Sequence, residues 1–420
     1  MNVVIWSLFL IQFVFDLSIL LGLLFFDDIT VIKNKKEFRY SKKKEKPTIY
    51  LLIALFNESK GIENTLHWFS KFLSSNVKLV FVTTEKEKRV FGENKTLLKL
   101  TSLLSLPDYS SLHITVINYP FLKGNKGAQL NYAIRQMDRL MPDDYILVYD
   151  ADSRPDLKTI DELSQIIQTK QPNVIQQSSL YLRNYGISSP YMKVEALFES
   201  IRAMGLERRN YLLKKANKYI ISPFCYCVGH GMCFKTSFLK QIGLFPEPNE
   251  DVPIGIKVAL LGESIEPMVT KDYCNVTNNV KMLFFQSGNW IKAPFVCIKT
   301  FFSFQRYGII SVTKKVSLFC SIIFDFLSWV MHLFLAAIAL VSLFSPSIIS
   351  PYFFLIWLIV KITIPEGQML VFRQKYPTVQ ITYKEVLLAP FRDLFRGLAV
   401  FALILHAIGI SYNEMGRDDD

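Results

Sequence analysis

The stretch YILVYDADSRP, residues 145–155, decides the fold: apolar residues run straight into two aspartates one residue apart. Tyr145–Tyr149 is short, aromatic and β-branched, and turn residues follow it, so it reads as a buried strand. Asp150 and Asp152 then sit at the strand's carboxyl end. Open α/β sheets bind their ligands in the crevice outside that end. Two carboxylates this close repel each other unless a positive group lies between them. A hard divalent cation carrying a diphosphate supplies it, because magnesium-type sites use one or two carboxylates plus substrate phosphates. A D-x-D alone is most often an ordinary acidic turn, so the flanking sequence has to decide.

Working outward, strand and helix signals alternate. Residues 48–55, 77–83 and 113–118 read as strands, and residues 58–72, 94–106 and 127–141 as helices. This alternation predicts an α/β fold with a mostly parallel sheet covered on both faces. Asn57 and Glu58 close the first strand, where they cap the next helix or face a ligand. The stretch KGNKGAQLN, residues 123–131, combines glycines that let backbone approach a ligand with Lys123 and Lys126, whose charge suits phosphates. It lacks the glycine spacing of a P-loop. Beyond the D-x-D come Gly229, His230 and Gly231, and then Glu250 and Asp251 ahead of a helix over residues 254–261. His230 reads as a structural group more readily than a catalytic one. The basic helix over residues 202–218 reads as a solvated or membrane-facing side.

The chain has 420 residues, half of them hydrophobic, and a net charge of +12. The apolar excess collects at the two ends. Residues 1–27 suit a spanning helix of about 20 residues, although Asp16 interrupts them. No basic region precedes this stretch and no small-residue cleavage site stands out, which argues against a cleaved signal. Residues 28–47 form a basic linker carrying Lys33, Lys35, Lys36, Arg39, Lys42, Lys43, Lys44 and Lys46, the pattern of a cytoplasmic flank. The charge thus belongs to membrane topology, and no nucleic-acid motif accompanies it. Residues 286–315 mix Trp290 and several phenylalanines with lysines, as an interfacial segment does. Residues 316–412 form a three-helix membrane region, with spans expected over 316–344, 352–372 and 394–411. The uncharged loop 345–351 is expected outside and the basic stretch 373–396 inside. Asp325 and His332 share one face of the first of these helices. Intramembrane ionisable groups point into a bundle or cavity. Packing against Lys361 and contact with an acceptor are both open. The six cysteines have no paired metal spacing and read as free thiols of a reducing cytosol.

Taken in order, these stretches resemble the membrane-bound family 2 glycosyltransferases of the cellulose/hyaluronan synthase-like superfamily, whose catalytic domain has the Rossmann-like GT-A fold. The resemblance covers residues 47–290 and implies a GT-A domain over residues 48–285. The family's opening N-E looks like Asn57 and Glu58, and its K-G-x-K-x-x-x-L-N like residues 123–131. Its D-x-D looks like Asp150 and Asp152, its glycine-containing acceptor loop like Gly229–Gly231, its E-D like Glu250 and Asp251, and its Q-x-x-R-W like residues 286–290. Two positions depart. Glu85 stands where the family has a base-holding aspartate, and Asn289 stands where it has arginine.

The resemblance implies an inverting transfer from a nucleotide diphosphate sugar to a lipid-linked or oligosaccharide acceptor in envelope or capsular glycan synthesis. It assigns Asp251 as catalytic base and Asp152 as the ligand of Mg2+ or Mn2+. It assigns Asn57, Glu58, Glu85, Lys123, Lys126 and Asp150 to the donor, and Gly229, His230, Gly231, Glu250, Gln286 and Trp290 to the acceptor. A processive synthase extruding its own polymer is the alternative, and an inactive nucleotide-sugar-binding membrane protein is the second. The expected partners are donor, glycan acceptor and membrane lipids, with oligomerisation left open.

Overall fold

The structure is a computed structural model. It describes residues 2–37, 47–216, 223–307, 309–347 and 349–407. Part of the basic linker, residues 38–46, lies outside the described residues.

Eight strands form one sheet: β1 (Ile49–Ala54), β2 (Val77–Thr84), β3 (Ile114–Tyr119), β4 (Tyr145–Tyr149), β5 (Arg154–Pro155), β6 (Val174–Leu180), β7 (Met232–Lys235) and β8 (Glu266–Tyr273). Their order is β3-β2-β1-β4-β7-β6-β8-β5. The pairs β1/β2, β1/β4, β2/β3 and β6/β8 are parallel. The pairs β4/β7, β6/β7 and β5/β8 are antiparallel. The chain runs outward from β1 to β2 and β3 and then returns to β4 on the other side of β1, so the strand order reverses between β1 and β4. That reversal opens the ligand crevice at the carboxyl ends of these two strands, where the D-x-D follows β4.

The central strands are apolar on both faces because helices cover both. Ile49, Leu51 and Ile53 of β1 and Tyr145, Leu147 and Tyr149 of β4 pack beneath the helices at Ile62–Ser70, Lys95–Leu104 and Thr159–Lys170. The alternate residues Tyr50, Leu52, Ile146 and Val148 pack against the helices at Lys126–Gln136 and Val252–Leu260. The period-2 alternation of the strand distributes one sequence between two cores.

Among the described residues, three helices are long and apolar enough to cross a membrane: Asn2–Phe26, Val312–Phe344 and Tyr352–Lys375. The expected span over 394–411 begins inside a helix, Tyr383–Ala407, and continues outside the described residues. The expected interfacial segment, residues 286–315, holds the end of helix Val280–Trp290, all of Ala293–Phe304 and the start of Val312–Phe344.

The apolar helices pack on the sheet domain as well as on one another. Ile5, Phe9, Leu335, Ala339 and Phe353 form one shared core. Leu23, Met192, Ile201, Met369 and Phe372 form a second, which joins the helices to Pro190–Arg202. The N-terminal helix crosses the π-helical turn Ala203–Glu207 at two glycines. A Cβ on Gly22 would lie 1.9 Å from the Gly205 carbonyl oxygen, and one on Gly205 would lie 2.6 Å from that of Ile19. Only glycine at both positions permits this backbone approach.

The same interface carries a buried ion network. Arg392 Nε meets Glu195 at 3.1 Å, Arg392 Nη2 meets Glu199 at 2.7 Å, and Arg396 Nε meets Glu195 at 3.0 Å. Arg396 also binds Glu199. Two of the basic residues in the stretch 373–396 therefore face carboxylates of the sheet domain. Between the apolar helices, Lys361 lies 2.5 Å from His332 Nδ1 and 3.0 Å from Asp393. His332 thus packs on Lys361, whereas Asp325 faces Arg202 at 3.9 Å.

Candidate functional site

The donor side is built around Lys126, the first residue of its helix. Asn125 caps that helix by accepting from the Ala128 N–H at 3.1 Å, and its own amide donates to the Pro248 carbonyl at 2.7 Å. This ties the lysine-glycine stretch to the loop carrying Glu250. Lys126 Nζ donates to Asp150 and to the Gly229 carbonyl, both at 2.5 Å, and lies 3.4 Å from Glu250. Burial works against its charge, but Asp150 and Glu250 outweigh burial and raise its pKa. Three of the motifs picked out in the sequence therefore converge on one ammonium group.

Gly229 keeps this meeting point open. A Cβ there would lie 3.2 Å from both Asp251 Oδ2 and Glu250 Oε1. Gly231 has a φ of 67°. Its N–H donates to the Val148 carbonyl at 2.8 Å, and its carbonyl accepts from the Gln177 N–H at 2.8 Å, so it joins β4 to β6.

Asn57 takes a φ of 56° at the end of β1. Its N–H donates to Glu87 at 3.0 Å, and the Glu58 N–H donates to Thr96 Oγ1 at 2.9 Å. Glu87 is buried and also accepts from the Thr96 N–H and hydroxyl, both at 2.9 Å. It sets the Asn57–Glu58 turn, a role its charged sequence neighbourhood conceals. Glu85 accepts from the Asn118 amide at 2.6 Å beside the end of β2. Lys123 is exposed, and its carbonyl accepts from the Tyr119 hydroxyl at 3.0 Å.

Asp251 caps the helix Val252–Leu260, accepting from the Val252 N–H at 2.7 Å. Burial in the cavity wall, and then the Glu250 carboxylate, push its pKa up to about 7. It borders a cavity of about 360 Å3 that also reaches Gln286, Trp290 and helix Val312–Phe344. A second cavity of about 120 Å3 extends from Gln286 and Trp290 to Asp152. Gln286 and Trp290, one turn apart on Val280–Trp290, form the wall common to the two together with Tyr181 and Glu199. Asp152 and Asp251 thus lie on two adjoining spaces with Trp290 between them.

His230 points elsewhere. It is buried, with Nδ1 2.8 Å from Asp272. Asp272 also accepts from the Ser153 hydroxyl at 2.7 Å, and Cys274 Sγ lies 3.4 Å from His230 Nδ1. The His230–Asp272 pair therefore braces the turn that follows Asp152. Arg183 donates to the Asp152 carbonyl at 2.8 Å, and Thr65 to the Ala151 carbonyl at 2.7 Å, completing that turn. Among the described residues, His230, Asp272 and Cys274 form the group close enough to ligate one ion. Their mixed nitrogen, oxygen and sulfur donors suit a softer metal. Among the described residues, the space at Asp152 is lined by oxygen donors such as Gln286 and Asn275, with Glu199 held by Arg392 and Arg396, and by no histidine or cysteine. That donor set fits Mg2+ or Mn2+.

The stretch expected as a solvated or membrane-facing side is divided: its first part packs against the N-terminal apolar helix and is buried, and Leu213 and Lys215 are exposed. Arg202 lies in the cavity wall, where its Nε and Nη2 donate to the Tyr226 hydroxyl at 3.0 and 2.8 Å. Tyr226 donates in turn to Glu207 at 2.8 Å. Arg208 is fully buried. The N-terminal helix covers this side: Arg209 donates to Ser18 of that helix at 2.6 Å, whereas Lys215, further along, is exposed and pairs with Glu266 at 2.6 Å. Residues 217–222 of the stretch lie outside the described residues. All six cysteines are free, as expected, and Cys320 alone is exposed.

The chain matches no family model and no curated protein. Among solved structures it is similar to the mannosyltransferase PcManGT of Pyrobaculum calidifontis, in complex with GDP-Man and Mn2+, at 13% identity and a TM-score of 0.49, covering 96% of this chain and 100% of that one. It is also similar to S. aureus TarS 1-349 in complex with UDP-GlcNAc, at 13% identity and a TM-score of 0.45, covering 87% of this chain and 93% of that one. At such identities and TM-scores these likenesses bear on neither activity nor ligand.

Proposed function

We propose that this chain is a membrane-integrated, inverting glycosyltransferase of the family 2 type. It moves a sugar from a nucleotide diphosphate sugar to the hydroxyl of a lipid-linked or oligosaccharide acceptor. The observation that carries the reading is geometric: Lys126 gathers Asp150, the Gly229 carbonyl and Glu250 at one point, and the neighbouring Asp251 lies in the wall of a cavity that adjoins the space at Asp152. The ordered motif resemblance supports it.

In this reading Asp152 holds a divalent cation, which when bound acts as a Lewis acid toward the leaving diphosphate. Lys126 adds positive charge beside the diphosphate and keeps Asp150 oriented. Asn57, Glu58 and Glu85, at the ends of β1 and β2, hold the nucleoside, with Lys123 at the outer edge. The acceptor lies along Gln286 and Trp290, and the Gly229–Gly231 turn leaves room for it. Asp251 takes the proton from its hydroxyl, and its pKa near the working pH suits that task. Glu250 keeps that pKa high. His230 serves by holding Asp272 and the turn at Ser153.

The sheet domain is cytoplasmic in this reading, and the chain is a multi-pass protein. Transfer of one or a few sugars is favoured over polymer extrusion, because one chain has few spans to line a channel and Asn289 replaces the usual arginine. The test is to incubate the purified protein in lipid nanodiscs with a panel of labelled nucleotide sugars and Mn2+ or Mg2+. Donor consumption and a short glycosylated product are expected. High-molecular-weight polymer would favour the processive alternative, and consumption of no donor would refute the reading.

A further inference from the structure

Behind the D-x-D turn, three side chains from separate parts of the chain meet away from water. His230 precedes β7, Asp272 lies near the end of β8, and Cys274 follows β8. Asp272 and Cys274 are alternate residues, which places both on one face of the extended chain. His230 is 6% exposed, Asp272 0% and Cys274 3%. His230 Nδ1 lies 2.8 Å from Asp272 Oδ2, and Cys274 Sγ lies 3.4 Å from each of those two atoms. Nitrogen, oxygen and sulfur thus form a compact triangle.

The hydrogen bonding of Asp272 is lopsided. Its Oδ2 accepts from the Ser153 hydroxyl at 2.7 Å and also takes the His230 and Cys274 contacts. Its Oδ1 is equally buried and has no hydrogen-bond partner among the described residues. A buried carboxylate oxygen left unpaired costs free energy. A cation taken up by this carboxylate resolves both features: His230 and Cys274 turn from competing donors on one oxygen into ligands, and either oxygen or both can face the ion. The spacing suits zinc. With Zn–S of about 2.3 Å and Zn–N and Zn–O of about 2.0 Å, tetrahedral ligand atoms stand about 3.3 to 3.5 Å apart. The two edges to sulfur already have that length, and the nitrogen–oxygen edge has to open by about half an ångström. Ser179 Oγ, also buried, lies 3.4 Å from Nδ1, at ligand spacing from that nitrogen. The charges balance as well. A carboxylate and a thiolate cancel a divalent ion, and neutral imidazole adds nothing. Burial and then Asp272 raise the Cys274 pKa, but a coordinating thiol loses its proton outright.

We propose that His230, Asp272 and Cys274 form a structural zinc site, separate from the cation site at Asp152. A hard ion such as Mg2+ takes more oxygen ligands than this cluster has, whereas imidazole and thiolate favour zinc. Burial of all three ligands matches a closed, structural site in place of a catalytic one with an open position. The ion clamps the end of β8 to the turn before β7. Through the Ser153 hydroxyl on Asp272 it also fixes the turn that presents Asp152. The site stands independently of the transfer reaction.

The test reads the metal directly and needs no substrate. The untagged full chain in nanodiscs is stripped of metal, supplied with Zn2+ in an excess of Mg2+, and desalted. It should hold about one zinc ion per chain, and Asp152→Asn should hold the same amount. Zinc X-ray absorption should show one sulfur neighbour at about 2.3 Å and two or three nitrogen or oxygen neighbours at about 2.0 Å. Cys274→Ser and His230→Gln should each bind zinc at least about tenfold more weakly. Absence of zinc from the wild type, its loss from folded Asp152→Asn, a ligand shell with no sulfur or with more than one, or undiminished binding by Cys274→Ser overturns the proposal. If the ligand variants do not fold, the zinc content and ligand shell of the wild type decide alone.

Discussion

Replacing Glu250 by glutamine should move the acid limb of the pH–rate profile to lower pH. In the proposed mechanism the wild-type limb belongs to Asp251, whose pKa is pushed up to about 7 by burial and by the Glu250 carboxylate. Glu250 Oε1 and Asp251 Oδ2 each lie 3.2 Å from the point a Gly229 Cβ would occupy, so they are within twice that distance of each other. Two unit charges about 6 Å apart at an effective dielectric of about 20 interact by roughly 3 kcal/mol, an upper bound for a wall facing solvent. About half of that moves the limb by roughly one pH unit. The change also removes the Glu250–Lys126 contact at 3.4 Å. Lys126 then acts more fully on Asp251, which shifts the limb in the same direction. The assay is kcat/KM for transfer between pH 5 and 8.5 at constant ionic strength, because kcat/KM reports groups of the free enzyme. The wild-type rate should rise with pH through about 7 as Asp251 loses its proton. Glu250→Gln should rise about one unit lower, whatever happens to its plateau. An unmoved limb, or one displaced upward, would refute the link between Glu250 and the base.

Asp152→Asn should abolish metal-stimulated transfer while leaving the melting temperature within a few degrees, checked by turnover with and without Mn2+ and by thermal unfolding. Glu195→Gln should destabilise the chain by about 3 kcal/mol or more, because it leaves Arg392 and Arg396 without a fully buried carboxylate; the readout is the denaturation midpoint in detergent. A cysteine placed at Ser347, in a background where Cys320 is serine, should react with an impermeant reagent from outside intact cells. Labelling confined to the inside would reverse the proposed topology.

Much of the site was legible because its chemistry is local. A strand ending in Asp150 and Asp152, a lysine beside glycines at Lys126 and an acidic pair ahead of a helix each announce themselves within a few residues. The structure joins them through Lys126. The sheet was legible in the same way, since each strand is a short apolar run. What was hidden depends on pairings across long separations. Glu195 and Glu199 are four residues apart, and so are Arg392 and Arg396; that matched spacing is the one sequence signal of the network joining their helices. Read singly, these arginines look like topology charges. Glu87 likewise looks like a surface residue of a charged turn, and its burial beneath Asn57 appears only when the helix Lys86–Phe91 folds back on β1. The antiparallel insertion of β7 between β4 and β6 had no signal either, because Met232–Lys235 is four residues long.

The account turns on Asp251 acting as the base, and one variant tests it directly. Asn at position 251 keeps a side-chain oxygen for the helix cap and cannot accept the acceptor's proton. Donor affinity, melting temperature and transfer rate are measured on Asp251→Asn with the donor that the wild type consumes. The account predicts unchanged donor affinity, a melting temperature within a few degrees of wild type, and transfer reduced by about a hundredfold or more. Near-normal transfer by the folded variant would contradict it.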